Sequence, residues 1–201
     1  TLENWKNPCG APEVCEALGN SIKIGLLATI FSTILGTMIA FAIGRYAFKG
    51  RSSSNLLIFL PMATPEIVLG ASLLSLFLVF HINPGFWPTV IAHVMFCISF
   101  VVVTVKARIA SLDPRLEQAA MDLYANELET FRKVTLPLVA PGIAGAALLA
   151  FSLSFDDFII TNFNSGTLKT FPEFVYTSAA RGIPAQANVI GSAMFFLALI
   201  I

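Results

Sequence analysis

Two adjacent carboxylates, Asp156 and Asp157, stand between Phe155 and Phe158 in the stretch LSFDDFIITNF, at the end of an apolar run. Carboxylates pair with ammonium groups and aromatic faces attract them, so this quartet suits a flexible polycation. Successive residues of a helix point about 100° apart, so only one of the two aspartates would face a path. The plainer use of the pair is to cap the outer end of a membrane helix. A third carboxylate, Glu66, follows Pro65 inside another apolar run. Ionisable groups at membrane depth are costly and turn toward a protein interior or a wet cavity. Glu66 therefore either lines such a cavity or satisfies backbone N–H groups exposed where Pro61 and Pro65 interrupt the helix.

Other chemistry finds little support. His81 and His93 are not spaced with cysteines or carboxylates as metal ligands are; both read as structural, and no metal site is expected. No Ser/His/Asp or Cys/His arrangement suggests covalent catalysis, and no GxxxxGK[ST] loop is present to cradle a nucleotide. The chain is not expected to be an enzyme. Cys9 and Cys15 bound the polar stretch CGAPEVC, where a bridge in an oxidising compartment and two free thiols both fit. Trp87, beside Pro88, reads as an interfacial anchor.

The elements that would position these residues are set by composition. Of 201 residues 56% are hydrophobic and only 12% are charged, with a mean hydropathy of +0.80. A soluble domain of this size carries about 25% charge. A larger core would not strip charge from a surface, so the chain reads as a membrane protein. A net charge of zero gives no reason to expect nucleic acid. Spanning helices are expected at 21–44, 55–80, 88–105, 134–155 and 185–201. The first carries Gly25, Ser32, Gly36 and Ala40 about four apart, a small-residue face on which a neighbouring helix can pack closely. These spans predict an all-α, polytopic helical bundle forming one domain over 1–201.

Orientation follows the basic residues. Arg45, Lys49 and Arg51 follow the first span, and Lys106, Arg108, Arg115, Arg132 and Lys133 separate the third from the fourth; together they are eight of the twelve. Both loops are placed in the cytoplasm. The N-terminal stretch, HINPGFW and residues 156–184 then lie outside, and an earlier span is expected before Thr1.

The second cytoplasmic loop, 113–135, is long and amphipathic. Asp113 before Pro114 predicts a helix start. Leu116, Ala119, Ala120 and Leu123 then form one apolar stripe at i, i+3, i+4 and i+7. The chain is expected to turn over Tyr124-Ala125-Asn126, with Asn126 as the residue best suited to a left-handed conformation. A second helix is expected from Glu127, with Leu128, Phe131 and Val134 on one face, entering the membrane at Leu136-Pro137. Such a stripe packs on the chain's own helices, lies at the lipid surface, or meets a partner.

The loop resembles the cytoplasmic loop of binding-protein-dependent ABC importer permeases. The pattern of that family is Glu-Ala-Ala, Gly four positions on, and Ile-x-Leu-Pro after nine more residues. Here it falls on Gln118-Ala119-Ala120, Tyr124 and Val134-Thr135-Leu136-Pro137, with the spacing kept. Gln118 and Tyr124 depart from it, which puts in doubt any need for a carboxylate at the first position or a flexible residue at the second. The stretches GRYAFKGR, LPMATPEIVLGASLL, FVVVTVKARI and LSFDDFIITNF extend the likeness over nearly the whole chain, and are most similar to the second permease subunit of the polyamine (spermidine/putrescine) branch.

The resemblance implies a type I permease fold, in which Leu116, Gln118, Ala119, Ala120, Leu123, Tyr124, Leu136 and Pro137 couple the spans to a separate ATPase. It implies a bacterial inner-membrane, multi-pass protein with two ATP-binding subunits, a homologous permease subunit, an extracytoplasmic polyamine-binding protein and lipid as partners. ATP and magnesium would sit on the ATPase subunits, leaving no cofactor in this chain. Glu66, Phe155, Asp156, Asp157 and Phe158 would line the substrate path. The same machine carrying iron(III), thiamine or another small solute is the nearest alternative. A channel or a membrane-anchored sensory module without an ATPase is a further one.

Overall fold

The computed structural model describes the backbone of residues 2–179 and 182–200 and the side chains of residues 4–179 and 182–196. Every regular element among these is helical. In chain order they are α1 (Leu2–Lys6), α2 (Pro12–Arg45), α3 (Arg51–Ala63), α4 (Glu66–Val79), α5 (Phe86–Ala110), α6 (Arg115–Asp122), α7 (Glu127–Thr130), a π-helical turn (Phe131–Thr135), α8 (Leu136–Asp156), α9 (Ile159–Asn164), α10 (Phe171–Ser178) and α11 (Ala185–Ile200). Among the described residues α2, α5 and the run Glu127–Asp156 are long and apolar enough to cross a membrane, and α3 with α4 makes a fourth if that broken pair is one span. α11 supplies 16 residues of the expected fifth segment, whose last residue, 201, lies outside the described ones.

Helix α2 starts well before its apolar part. Pro12 stands at its first position, where a missing N–H costs nothing, and Glu13 faces the positive end of the helix. A Cys9–Cys15 disulfide closes over this start, resolving the two readings of the cysteine pair. The small-residue face behaves as its spacing predicts, since Gly25, Ser32, Gly36 and Ala40 are all buried. A Cβ on Gly36 would lie 2.7 Å from Val101 Cγ1, so α2 and α5 approach there more closely than any larger residue permits. Leu26, Ile30, Ile34 and Met38, on another face, are exposed. In water that row would be a liability; in a bilayer it is the lipid-facing side.

One backbone expectation is corrected here. Pro61 and Pro65 were both expected to break the second span, yet α3 runs through Pro61 and ends at Ala63. The break belongs to Pro65, whose ring forces Thr64 into an extended conformation (φ −83°, ψ 133°). The second loop helix is expected to enter the membrane at Leu136-Pro137, and it does run on through those residues. There α7, the π-helical turn and α8 form one continuous helix. Pro137 has no N–H and its ring crowds the carbonyl one turn earlier, and the wider π-turn just before it makes room.

The chain divides into two compact units: Thr1–Gly25 with Glu66–Ala92 and Phe155–Ile201, and Leu26–Pro65 with His93–Ser154. In the first, Val14, Ala17, Phe174, Ala187 and Ile190 form a buried cluster. Ser21 Oγ accepts the Phe171 N–H at 2.8 Å, and the Asn20 amide donates to the Lys169 carbonyl at 3.0 Å, tying the start of α10 to α2. In the second, buried His93 meets Ser154 Oγ through Nδ1 at 2.7 Å. Arg108 donates from Nε and Nη2 to the Leu138 carbonyl at 3.0 and 2.8 Å. Gly142 lets it pass, since a Cβ there would fall 2.5 Å from Arg108 Cγ.

Candidate functional site

The cytoplasmic loop folds as a helical hairpin. Asp113 Oδ1 accepts the Arg115 N–H at 2.9 Å, and Pro114 already has helical angles (φ −63°, ψ −17°), as the sequence led us to expect of a helix start. At the other end of α6, the Ala125 N–H donates to the Ala120 carbonyl at 3.2 Å and the Tyr124 N–H to the Met121 carbonyl at 3.0 Å. These paired bonds make a Schellman motif, which needs a left-handed residue at its first position beyond the cap. That residue is Tyr124, with φ 64°, and not Asn126, which is extended (φ −75°, ψ 169°). Asn126 instead caps α7. Its Oδ1 accepts the Glu129 N–H at 2.8 Å while Glu129 Oε2 accepts the Asn126 N–H at 3.3 Å. That backbone hydrogen bond, and then Lys133 at 3.3 Å, hold the Glu129 carboxyl below its ordinary range.

The hairpin carries its apolar stripe outward. Leu116 is 46% exposed, Leu123 81% and Tyr124 98%; Gln118 and Ala119 are exposed and Ala120 half-buried. No residue of α6 is buried. Leu136 and Pro137 are also exposed, at the start of α8 and apart from α6 in sequence. The structure therefore gathers six of the eight expected residues on one hairpin arm and its cap. Behind that arm lies a groove of about 860 Å³, lined by Phe41, Arg45, Glu117, Met121, Leu128 and Phe131 among others. Glu117 was passed over at the sequence level. It turns inward to form an ion pair with Arg45. An acidic side chain directly beside an outward stripe was the only available signal.

The other expected residues, Glu66, Phe155, Asp156, Asp157 and Phe158, all fall in the first compact unit. Glu66 opens α4 and is exposed, and it lies near enough to Asp157 to act on it electrostatically. Asp156 ends α8 and is exposed, whereas Asp157 is 7% exposed. Asp157 Oδ1 accepts the Thr161 N–H at 3.0 Å, so this carboxylate caps the first turn of α9. The two aspartates thus divide, one capping and one open. Phe158 stacks on Tyr176, centroids 4.3 Å apart and planes 31° apart; Phe155 is half-buried.

Asn164 also escaped the sequence reading. Its side-chain amide nitrogen donates to the carbonyls of Ile160 (2.9 Å) and Gly70 (3.3 Å), and its backbone carbonyl accepts the Gly85 N–H at 2.9 Å. The bond to Gly70 ties α9 to α4, where Gly70 leaves only 3.0 Å between a hypothetical Cβ and Phe163 Cδ2. An asparagine in the apolar run IITNFN was the clue. Among the described residues no three of His, Cys, Asp and Glu cluster as metal ligands would.

Comparison with known proteins bears on the family and the fold. The family model described as "binding-protein-dependent transport system inner membrane component" matches residues 22–201. The spermidine/putrescine transport system permease protein PotC of Haemophilus influenzae is 36% identical over 185 residues, covering 92% of this chain and 72% of that protein. The putrescine transport system permease protein PotI of Escherichia coli K12 is 37% identical over 185 residues, covering 88% and 66%. Among solved structures, an amino acid ABC transporter aligns with a TM-score of 0.70 at 21% identity, covering 94% of this chain and 88% of that one. A bacterial alginate ABC transporter, solved with an alginate-bound periplasmic protein, aligns with a TM-score of 0.71 at 16% identity, covering 98% and 77%. At those identities the structures speak for the fold alone.

Proposed function

This chain belongs to the inner membrane components of binding-protein-dependent transport systems, and from that membership we propose that it is a permease subunit of an ATP-driven polyamine importer. The polyamine reading is supported by the two relatives named for spermidine and putrescine transport. The open carboxylates Glu66 and Asp156, with the Phe158–Tyr176 stack in the same unit, are the chemistry that would meet an ammonium chain. Its apolar segments act as one permease domain of five spans in the bacterial inner membrane. A homologous permease subunit completes the path, an extracytoplasmic binding protein delivers the solute, and two ATPase subunits bind below.

The observation that carries the coupling role is the outward apolar stripe of α6, which buries nothing of its own. In the proposed cycle ATP binding draws the ATPase subunits together, α6 follows its seat on one of them, and the continuous helix Glu127–Asp156 carries that movement into the membrane. ATP and magnesium stay with the ATPase subunits.

Leu123→Glu tests this. The side chain is 81% exposed, so the hairpin's own fold tolerates the change. Burying the new charge at a docking surface costs roughly 2 kcal/mol or more, over tenfold in coupling. The variant is expected to insert at normal level and to lose ATP-driven uptake. Normal uptake at normal membrane level would refute the docking role.

A further inference from the structure

Helix α6 is eight residues long and buries no side chain, so packing does not fix it against the bundle. A polar cluster does. Glu117 forms an ion pair with Arg45, the last residue of α2. Thr135 Oγ1, fully buried in the π-helical turn, donates to Glu117 Oε1 at 2.7 Å and accepts from Arg45 Nη2 at 3.3 Å. The Arg45 guanidinium carbon stands 5.9 Å from the Phe41 ring centroid, and Phe41 meets Phe131 edge-on at 5.3 Å. Arg45 and Glu117 are 31% and 22% exposed, so the pair is partly screened from water and each charge relies on the other.

We infer that Arg45, Glu117 and Thr135 form a latch that makes the hairpin and the inner end of α2 move as one piece. This rests on the coupling role proposed above and extends it. Through chain continuity alone, movement of α6 reaches the spans that precede and follow it, α5 and α8. With the latch, the same movement also reaches the span that ends at Arg45, which packs on α5 at Gly36 and Gly44. Thr135 suits the junction because it bonds both charges at once. The residues Arg45 and Glu117 are positioning groups; neither belongs to the outward stripe that would meet the ATPase.

The test uses the complete importer (both permease subunits, ATPase and binding protein) in proteoliposomes. Glu117→Gln and Arg45→Glu are compared with the double exchange Arg45→Glu with Glu117→Arg, reading ATP hydrolysis and labelled spermidine uptake together. The single variants are expected to keep their ATPase subunits and to hydrolyse ATP, while uptake per ATP falls roughly tenfold, within the usual range for coupling between sites. The exchange is expected to recover most of it. Spin labels at Tyr46 and Asp122 should keep one narrow distance with and without ATP in the parent protein, and spread in Glu117→Gln. Unchanged uptake per ATP in the single variants would overturn the latch. So would loss of the ATPase subunits from them, or an exchange that recovers nothing. An unsubstituted complex that fails to hydrolyse ATP when the binding protein is added would instead refute the proposed function.

Discussion

Tyr124→Gly should tighten the hairpin. Tyr124 sits at φ 64° in the Schellman turn of α6, where a Cβ meets the following carbonyl, and such a conformation costs an L-residue roughly 1–2 kcal/mol. The side chain is 98% exposed, so removing it sacrifices no packing within the chain. Glycine regains freedom in the opened state, which offsets about 0.4–1 kcal/mol. The net gain is about 0.5–1 kcal/mol, or roughly two- to fivefold in the local opening constant. Hydrogen–deuterium exchange over residues 115–126 of the detergent-solubilised protein reads it, most directly at the Ala125 amide bonded to the Ala120 carbonyl. Tyr124→Ala is the control, since it removes the ring but keeps the Cβ. Equal protection in the alanine and glycine variants would refute the strain reasoning. The family pattern's glycine at this position acquires a physical cause if the glycine variant alone gains protection.

Other outcomes follow from the same geometry. Gly142→Ala should place a Cβ 2.5 Å from Arg108 Cγ, force that side chain off the Leu138 carbonyl and destabilise by about 1–3 kcal/mol, seen as a lower thermal midpoint. Burial holds the Glu173 carboxyl above its ordinary range. A carboxyl with a raised folded value favours folding while protonated, so its contribution weakens as pH rises from the ordinary carboxylate range through the folded value. Thermal midpoints should therefore fall over that interval, and Glu173→Gln should flatten the decline; equal slopes would contradict the assignment.

The membrane class, the small-residue face and the apolar stripe were legible because each is a local pattern of one residue type at one period. Gly25, Ser32, Gly36 and Ala40 recur every helical turn or two, and a buried face is the simplest use of that spacing. What escaped depended on chain geometry or distant partners. Tyr124 is left-handed because α6 ends where it does, against its own preference. Pro61 is tolerated within α3, while Pro65 acts through the residue before it. The π-turn within the expected helix Glu127–Asp156 is announced by no periodicity. Glu117 finds Arg45 across a large separation in sequence, and Asp157 is taken up as a cap, which its neighbour Asp156 is not. Candidate residues could be named from sequence, but which way each one points is set by three-dimensional neighbours.

The most direct measurement is uptake of labelled spermidine and putrescine into proteoliposomes holding the permease pair, its ATPase and its binding protein, with and without ATP. The polyamine assignment predicts ATP-dependent accumulation of at least one of them, and a weakened response in Asp156→Asn. ATP hydrolysis stimulated by the binding protein, with neither polyamine entering, would contradict it.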